Sequence, residues 1–493
     1  MLKIDDLMTT SGVKFGTSGA RGRVVDMTDR VCFAYTLGFL QHLRQIGALA
    51  AGGDVGIAGD YRPSTPRIMA ACAAAVRAEG CRPRNFGGVP TPALAAFGIA
   101  ERMPTMMVTG SHIPDDRNGI KFNLPSGEIL KDDEAAIRAQ LVALPAAEFA
   151  ADGSLLAPAL PPEESAAFDA YVARYLNFFP PDWLGGLRVG LYEHSSVARD
   201  AFLAVLTGLG AEVVQLGRAE TFIPVDTEAI RPEDVALAVG WAADGDFDAL
   251  VSADGDGDRP LVADRQGRWL RGDIAGILCA RELGAAAVVT PISSNTAVEQ
   301  CGWFAEVLRT RIGSPYVIAG MQQLHARGLA PVVGYEANGG FLIETDIERD
   351  GRCLPALPTR DALLVALAIL GAARRRGMPV AALADELPAR FTDSDRIKDF
   401  PSELSQARLA TFATGDAAAD RDAAAAVFAA AFGPVAAVDH TDGVRITFAS
   451  GEIVHLRASG NAPELRAYTE AASVDRAREM NRICMAILAG WRG

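Results

Sequence analysis

Long apolar runs are absent from this 493-residue sequence. No uncharged apolar stretch reaches the roughly 18–20 residues that a helix needs to cross a bilayer. The longest one, Ala362 to Ala373, is short and flanked by charged residues, so we interpret it as a buried helix. The N-terminus lacks a basic region followed by an apolar run, which argues against a signal peptide. These absences predict a cytoplasmic chain with no membrane association.

Positive charge is also scarce, because 47 lysines and arginines face 61 acidic residues and the formal net charge is −14. No nucleic-acid partner is expected, since such proteins need a basic face to neutralise phosphates. A phosphorylated small substrate is compatible with this charge, because a few arginines at one cleft can reverse the local field.

The seven cysteines have neither metal-like nor disulfide-like spacing, and their odd number indicates a reducing compartment.

Three parts of the chain share one pattern, a short β-branched run, a polar turn and an Ala/Leu-rich amphipathic stretch that ends at glycine. They are Val55–Asp60 with Pro66–Gly80, Leu187–Leu191 with Ser195–Gly210 and a further strand Glu212–Leu216, and Ala286–Ile292 with Asn295–Gly302. Strands that alternate with helices imply βαβ units with helices on both faces of the sheet. The pattern predicts three related α/β domains with mixed sheets.

Domain boundaries are expected where this pattern is interrupted. The clearest linker is the Pro- and Ala-rich stretch Pro145–Ser165, and further junctions are predicted near Asp264–Arg271 and Leu387–Phe400. Beyond the last junction, a strand–turn–strand from Ala437 to Leu456 and a long helix from Ser473 predict a smaller α+β domain. The predicted domains are three α/β domains at 1–150, 165–264 and 265–388 and a C-terminal α+β domain at 395–493.

An acidic loop, Ser252–Arg259, follows the apolar run Ala249–Val251 at the expected end of a strand. Three carboxylates at alternate positions, separated by glycines, can surround one hard cation, and they are Asp254, Asp256 and Asp258. An EF-hand is excluded, because arginines occupy the sixth and twelfth loop positions. A solvated acidic turn is the alternative. Because only three ligands are offered, Mg²⁺ would need further oxygens, preferably from a phosphoryl group.

A second motif, Met106–Pro114, also runs from a strand into a turn, where Ser111 is expected to be exposed. The pattern G-x-S-x-G is absent, so this is not a nucleophile elbow. The adjacent His112 is predicted to be poorly placed to act as its base. A serine that caps a turn is the default alternative for this motif alone. Lys121, beyond the next turn, could project into the same cleft.

Three further glycine-containing loops carry groups suited to a sugar phosphate. They are Phe15–Gly22 with Arg21, Gly334–Gly340 with Glu336 and Asn338, and Arg457–Arg466 with two arginines, a hydroxyl and an amide. Guanidinium groups bind phosphate in a bidentate manner, and the carboxylate and amide side chains suit vicinal sugar hydroxyls. Each loop taken alone is also compatible with surface ion pairs or a plain turn.

These five motifs, in this order, resemble the α-D-phosphohexomutase family over essentially the whole chain. The family fold has four domains around a central cleft. The resemblance implies an isomerase that interconverts hexose 1-phosphate and hexose 6-phosphate through a phosphoserine and a 1,6-bisphosphate intermediate. Its expected cofactors are Mg²⁺ and hexose 1,6-bisphosphate as activator, and its expected partner is a small-molecule hexose phosphate.

The resemblance also implies a role for each matching residue. Ser111 carries the phosphoryl group and, through a phosphoserine oxygen, completes the Mg²⁺ site of Asp254, Asp256 and Asp258. Lys121 matches a general base, and Arg21 and Arg259 help to hold the transferring group. The residues expected to bind the rest of the substrate are Glu336 and Asn338 at the sugar 3- and 4-hydroxyls, and Arg457, Ser459, Asn461 and Arg466 at the non-reacting phosphate.

Departures from the family pattern concern substrate choice and one proton transfer. Gly340 stands where many relatives carry a histidine that acts as general acid, so the second proton-transfer group is unassigned. Asn461 and Ala462 stand where Thr and Glu are common in relatives.

The favoured activity is that of a phosphomannomutase or of a dual mannose/glucose mutase. Phosphoglucomutase is the alternative and phosphoglucosamine mutase is less favoured. A catalytically inactive sugar-phosphate sensor and a metal-dependent phosphatase are the alternatives from other classes, and the oligomeric state stays open.

Overall fold

The structure is a computed structural model that describes residues 1–16, 19–459 and 463–492. The chain divides into two compact units. The first comprises Met1–Val288 and Gly313–Leu383, and the second comprises Val289–Ile312 and Ala384–Gly493.

The first unit begins with a mixed sheet flanked by helices. The elements are β1 (Leu2–Lys3), α1 (Ile4–Ser11), β2 (Lys14–Phe15), β3 (Gly19–Arg23), α2 (Asp29–Gln45), β4 (Asp54–Gly59), α3 (Thr65–Ala78), β5 (Arg82–Asn85), α4 (Thr91–Ala100), β6 (Thr105–Val108), β7 (Arg117–Leu124), β8 (Gly127–Glu128), α5 (Lys131–Ala139) and β9 (Leu141–Val142). The strand order is β2-β3-β7-β6-β4-β5, with β8 paired to β7. Strand β4 is parallel to β5 and β6, whereas β6, β7 and β3 are antiparallel.

The first predicted strand–helix pair is found within two residues of its expected bounds at β4 and α3. Apolar residues fill the strand, and alanines on the buried face of α3 let the helix approach the sheet closely. Pro66 lies in the first turn of α3, where its missing N–H has no intrahelical partner to lose.

The second part of this unit has a four-stranded sheet in the order β11-β10-β12-β13. Its elements are α6 (Ala166–Phe178), β10 (Arg188–Tyr192), α7 (Arg199–Gly208), β11 (Glu212–Leu216), α8 (Pro232–Asp244), β12 (Ala249–Ala253) and β13 (Pro260–Ala263). Strand β10 is parallel to β11 and β12, and β13 returns antiparallel to β12. The acidic loop is therefore the tight connection between β12 and β13.

A third group of elements contains α9 (Gly272–Glu282), β14 (Ala287–Pro291), α10 (Ala297–Gln300), β15 (Glu306–Thr310), α11 (Ser314–Ala326), β16 (Val332–Tyr335), β17 (Phe341–Ile343), β18 (Ile347–Arg349), β19 (Arg352–Leu354), α12 (Ala362–Arg376) and α13 (Val380–Ala384). Within this group, residues 289–312 belong to the second unit. Helix α12 contains the predicted buried helix, since residues 362–373 are all buried. The predicted helix 295–302 is shorter than expected, because α10 has only four residues.

The C-terminal part contains β20 (Phe391–Ile397), α14 (Ser402–Ala410), α15 (Ala417–Phe432), β21 (Val435–Asp439), β22 (Val444–Phe448), β23 (Ile453–Ala458), β24 (Leu465–Ala471) and α16 (Val474–Ala489). The strands form one antiparallel sheet in the order β20-β24-β23-β22-β21. The prediction of two strands and a final helix was therefore incomplete. The start of that helix was right, because the Ser473 side chain caps it by accepting from the Arg476 N–H.

Two expectations about the whole chain concern membranes and cysteines. Within the described ranges, no helix is both long and apolar enough to cross a membrane. The seven cysteines are free thiols.

Candidate active site

The acidic loop places three buried carboxylates together. One oxygen from each of Asp254, Asp256 and Asp258 lies within 4.8 Å of the others. Backbone contacts shape the loop, because Asp254 Oδ1 accepts from the Asp258 N–H at 3.1 Å and the Arg259 N–H at 3.2 Å. Burial, followed by the charges of Asp256 and Asp258, raises the pKa of Asp254 well above its usual range. The cluster thus concentrates negative charge that a bound cation would neutralise.

Two oxygens of this cluster have no hydrogen-bond partner among the residues that the structure describes. The Oδ1 atoms of Asp256 and Asp258 are buried and accept no hydrogen bond from any described residue. Buried acceptors are normally satisfied, so each unsatisfied oxygen indicates a missing ligand. Carboxylate oxygens are the donors that Mg²⁺ and Ca²⁺ prefer. The residues present therefore fit a divalent cation.

Lys121 bridges the other side of the same cluster. It lies on β7, and its Nζ donates to Asp256 Oδ2 and Asp258 Oδ2, both at 2.6 Å. Burial lowers the pKa of Lys121, but the two carboxylates outweigh burial and raise it above its usual value. Lys121 is therefore an ammonium in this arrangement, and it can accept a proton only after these carboxylates are neutralised.

Ser111 lies in the turn that follows β6 and is buried, with 2% of its surface exposed. The prediction of an exposed serine was wrong, because the acidic loop of the second domain covers it. Ser111 Oγ donates to Asp254 Oδ2 at 2.6 Å. The hydroxyl oxygen is therefore held against the candidate metal site, where a nucleophile or phosphoryl carrier would lie.

His112 is closer to Ser111 than expected, since its Nδ1 lies 3.2 Å from Ser111 Oγ. The prediction that the ring is poorly placed was wrong in this respect. Burial, followed by the charge of Arg259, lowers the pKa of His112 to about 3, so the ring is neutral. Its Nδ1 accepts from the Arg259 guanidinium at 2.9 Å.

A small cavity opens at Ser111 and collects cationic side chains. Its charged lining residues are Arg21, Lys121, Arg259 and Arg360. Burial, followed by the charge of Arg259, lowers the pKa of Arg21 to about 10, which still leaves it charged at neutral pH. Four cations around one hydroxyl suit a dianionic phosphoryl group.

Arg360 is the residue at this cavity that the sequence analysis did not identify. It precedes α12, and its guanidinium donates to Asp258 Oδ2 and to Glu336 Oε2, each at 3.0 Å. A Cβ at Gly340 would lie 2.5 Å from Arg360 Cδ, so the arginine stem occupies the space of a side chain at position 340. The only local signal was an arginine immediately before the cap of an apolar helix.

The loop with Glu336 and Asn338 follows β16. Glu336 accepts from Arg360, which also donates to Asp258 of the acidic loop. Asn338 Oδ1 accepts from the Gly340 N–H at 2.9 Å within the turn. Both side chains are buried. The expected roles at sugar hydroxyls remain predictions for these two residues.

The remaining predicted residues lie in the second unit. Arg457 on β23 and Arg466 on β24 are directly opposite each other across the sheet. Like charges in such a pair are destabilising, and here acidic neighbours offset them. Arg457 Nε lies 3.0 Å from Asp442 Oδ1, and the Arg466 guanidinium lies 3.1 Å from Glu464 Oε2. A pair of this kind can bind an anion.

Two smaller predictions concern the turn between these strands. The Ser459 N–H donates to the Glu464 carbonyl at 2.9 Å. Asn461 lies outside the described residues.

Comparison with known proteins agrees with this arrangement. Family models described as phosphoglucomutase/phosphomannomutase match the chain for alpha/beta/alpha domains I, II and III at residues 12–147, 169–267 and 271–391, and for the C-terminal domain at 407–486. A phosphomannomutase from Sinorhizobium fredii is 44% identical over 97% of this chain and 99% of its own length. Another phosphomannomutase, from Salmonella muenchen, is 43% identical over 95% of this chain and 94% of its own length.

The fold is shared with a solved structure of a phosphoglucomutase/phosphomannomutase family protein from Burkholderia thailandensis. That structure matches with a TM-score of 0.73 at 20% identity and covers 100% of this chain and 98% of its own. With all four domains matched in order, the chain belongs to the phosphoglucomutase/phosphomannomutase family.

Proposed function

We propose that this chain is a cytoplasmic phosphomannomutase, which converts mannose 6-phosphate to mannose 1-phosphate and back. The observation that carries the proposal is the Ser111 hydroxyl, held 2.6 Å from Asp254 and facing a cavity lined by four cations. The two relatives named phosphomannomutase, at 43% and 44% identity, support mannose as the sugar.

Asp254, Asp256 and Asp258 would hold Mg²⁺, and a phosphoserine oxygen at Ser111 would add a further ligand. The unsatisfied Oδ1 atoms of Asp256 and Asp258 support this assignment. When bound, the cation would neutralise charge on the transferring phosphoryl group and draw the carboxylates away from Lys121.

The reaction requires two phosphoryl transfers at Ser111. In the first, the free sugar hydroxyl attacks the phosphoserine phosphorus and the bond from phosphorus to Ser111 Oγ breaks; Lys121 takes the hydroxyl proton, which ends on Ser111 Oγ. In the second, Ser111 Oγ attacks the other phosphate of the hexose 1,6-bisphosphate, the bond from phosphorus to the sugar oxygen breaks, and the Ser111 hydroxyl proton ends on that sugar oxygen. Arg21, Arg259 and Arg360 hold the transferring group, and positioning with charge neutralisation supplies most of the rate.

Substrate recognition is divided between the two remaining loops. Glu336 and Asn338 would bind sugar hydroxyls, and Arg457, Ser459, Asn461 and Arg466 would bind the phosphate that does not react. Because the bisphosphate must be accepted in both orientations, a loop with several donors suits this site better than a rigid socket. Hexose 1,6-bisphosphate would act as activator by phosphorylating Ser111.

The test is turnover of mannose 1-phosphate and glucose 1-phosphate side by side, with Mg²⁺ and a trace of hexose 1,6-bisphosphate. We expect both 6-phosphates to form, with the higher kcat/KM for mannose. Glucosamine 1-phosphate and release of inorganic phosphate are measured in parallel, so that an amino-sugar mutase or a phosphatase is recognised. Isomerisation of none of the three sugars would overturn the proposal.

The matched variant is Ser111→Ala, which removes the phosphoryl carrier and leaves the carboxylates in place. We expect mutase activity to fall by about 10⁴-fold or more, as when a nucleophile is removed from other enzymes. The thermal unfolding midpoint should stay close to that of the wild type. Full activity in this variant would rule out a phosphoserine mechanism.

A further inference from the structure

Arg62 lies between β4 and α3 and is one of the largest fully buried side chains, with 1% of its surface exposed. A buried guanidinium is costly unless its charge is paired and its donors are satisfied. Asp60 supplies the paired charge, because Arg62 Nε lies 3.0 Å from Asp60 Oδ2. Neither side chain belongs to the proposed reaction, since neither lines the cavity at Ser111.

The rest of the guanidinium is bound to the serine loop, residues 109–117. Its four terminal N–H groups donate to four backbone carbonyls, those of Ser111 at 2.8 Å, Ile113 at 2.6 Å, Pro114 at 2.7 Å and Arg117 at 3.2 Å. With the bond to Asp60, all five donors of Arg62 are used. One side chain therefore fixes the carbonyls on both sides of the turn that presents Ser111.

Asp60 fixes the start of the same loop. Its Oδ2 accepts from Thr109 Oγ1 at 2.7 Å and from the Gly110 N–H at 3.3 Å. The guanidinium also lies flat against Gly110, where a Cβ would be 2.6 Å from Arg62 Cζ. Only glycine at this position permits the approach.

Phe222, from the second domain, covers the open face of Arg62 at 4.0 Å from the ring centroid. The same ring faces the metal loop, because a Cβ at Gly255 would lie 3.1 Å from it. Such a cation–π contact is favourable and excludes water from the donors. Arg62 is thus enclosed between the serine loop and the domain that carries the metal loop.

The clamp acts on a strained residue. Ser111 has a φ of 55°, in the left-handed region that residues other than glycine adopt only at an energetic cost. We infer that Arg62 is a positioning residue, which holds Ser111 in this conformation so that Oγ stays beside Asp254 for phosphoryl transfer. The inference rests on the proposed function. It predicts an effect on the chemical step, because the hydrogen bonds of Arg62 go to Asp60 and to the serine loop.

The test compares Arg62→Lys with Arg199→Lys. Lysine keeps the charge beside Asp60 but cannot reproduce a planar fork that reaches four carbonyls. Arg199 is the matched control, because it is also buried, donates to two carbonyls and stacks on an aromatic ring, Tyr61, without touching the serine loop. Steady-state turnover, phosphorylation of Ser111 by hexose 1,6-bisphosphate followed by intact mass, and thermal unfolding are measured for all three proteins.

We expect Arg62→Lys to lower kcat and the rate of Ser111 phosphorylation about 100-fold, as a misplacement near 1 Å does, with KM changed less than about threefold. Arg199→Lys should keep both rates close to the wild-type values. The inference is overturned if Arg62→Lys keeps wild-type rates or if only its KM rises. It is also overturned if Arg199→Lys lowers kcat and the rate of Ser111 phosphorylation as much as Arg62→Lys does. A wild type that neither isomerises nor accepts phosphate contradicts the proposed function and is recognised before either variant is measured.

A second variant covers the case in which Arg62→Lys does not fold. Phe222 is only half-buried, so Phe222→Leu removes the cover of the guanidinium with little loss of packing. We expect kcat to fall about threefold to tenfold at unchanged KM, the kinetic equivalent of losing one partly desolvated cation–π contact. An unchanged kcat in a folded Phe222→Leu protein would overturn the inference.

Discussion

The candidate-site cations of the first unit and those of the second are held in opposite ways. The side chains of Lys121 and Arg360 are 9% and 4% exposed. They are bound to Asp256 and Asp258, whose carboxylates are completely buried. Arg457 and Arg466 pair with acids at partly exposed positions, with exposures of 21% and 32%. Buried pairs of good geometry are rigid, whereas exposed pairs are worth little and exchange partners with water and ligands.

This difference corresponds to two tasks in the proposed reaction. The site at Ser111 must hold reacting atoms in one geometry, so preorganised charges are an advantage there. The phosphate loop must accept either phosphate of a bisphosphate, so arginines that can leave their acidic partners are suitable. A rigid site at Ser111 and an exchanging site at Arg457 and Arg466 should therefore respond differently to substitution.

Metal removal should produce the largest effect and should act on the first unit alone. We expect chelation to reduce mutase activity about 1,000-fold, equivalent to several kcal/mol of lost charge stabilisation, and Mg²⁺ to restore it. Mg²⁺ should also stabilise the folded protein by about 2.7 kcal/mol at 100 times its Kd, measured by thermal unfolding. Asp256→Asn should lose both responses.

The matched control for the metal prediction is Asp244→Asn, which removes one exposed carboxylate from the same domain. It should respond to Mg²⁺ as the wild type does. Stabilisation of Asp256→Asn by Mg²⁺ to the same extent as the wild type would place the cation elsewhere.

Arg360→Lys should give the next largest effect. A lysine cannot bridge Asp258 and Glu336 as the guanidinium does, so we expect kcat/KM to fall about 100-fold, near 2.7 kcal/mol. The control is Arg375→Lys on α12, because the exposed Arg375 side chain pairs with a buried Glu282 carboxylate at 2.6 Å outside the cavity. Equal activity of the Arg360→Lys and Arg375→Lys proteins would show that the bridge is dispensable.

Acid should weaken both units, because each contains a neutral histidine buried in its core, His194 in the first and His455 in the second. Burial lowers the pKa of His194 and of His455 to about 4, and the Nε2 atom of each ring is bound to a backbone carbonyl. Unfolding restores a pKa near 6.5, so the unfolded chain binds more protons and stability falls as pH drops from 6.5 towards 4. We expect a loss of about 2 kcal/mol per histidine between about pH 7.5 and pH 5.

Denaturant unfolding at the two pH values measures this loss. His194→Gln and His455→Gln should each remove about 2 kcal/mol of the pH dependence, whatever their effect at neutral pH. An unchanged pH dependence in both variants would mean that the two rings are already charged in the folded state.

Arg466→Ala should change binding more than turnover. Loss of one charge-assisted contact to phosphate is expected to raise KM about tenfold, and kcat should stay within about twofold because Arg466 does not contact the reacting group. Steady-state kinetics with the favoured sugar phosphate measure both constants. A lower kcat at unchanged KM would contradict the assignment of Arg466 to substrate binding.

The sequence predicted those features that depend on local order along the chain. Four of the five predicted loops follow a strand, and Glu212–Leu216 is a strand at its predicted bounds. The loop predicted at Phe15–Gly22 was partly wrong, because residues 19–22, with Arg21, lie in strand β3. The acidic triad was recognised because its three ligands lie within five residues. Strand β20 was missed because its sequence, FTDSDRI, is polar and largely exposed, and only pairing with β24 makes it a strand.

Features that depend on distant contacts were not predictable in this way. The burial of Ser111 depends on Asp254, 143 residues away, and the role of Arg360 depends on Asp258, 102 residues away. The clamp formed by Arg62 requires carbonyl directions that no side-chain pattern encodes. Active-site geometry assembled from several domains is therefore visible only in the folded chain.

The smallest expected effect tests exchange at the phosphate loop directly. Glu464 accepts from Arg466 at 3.1 Å in a partly exposed pair, and a phosphate must displace it to use the same N–H. Glu464→Gln removes this competition, so KM should fall about twofold to threefold, the value of a surface ion pair. Glu452→Gln, which breaks a pair with Arg476 on another face of the domain, is the control and should leave KM unchanged. If KM rises in Glu464→Gln, the carboxylate orients Arg466 for phosphate instead of competing with it, and the distal site is as preorganised as the site at Ser111.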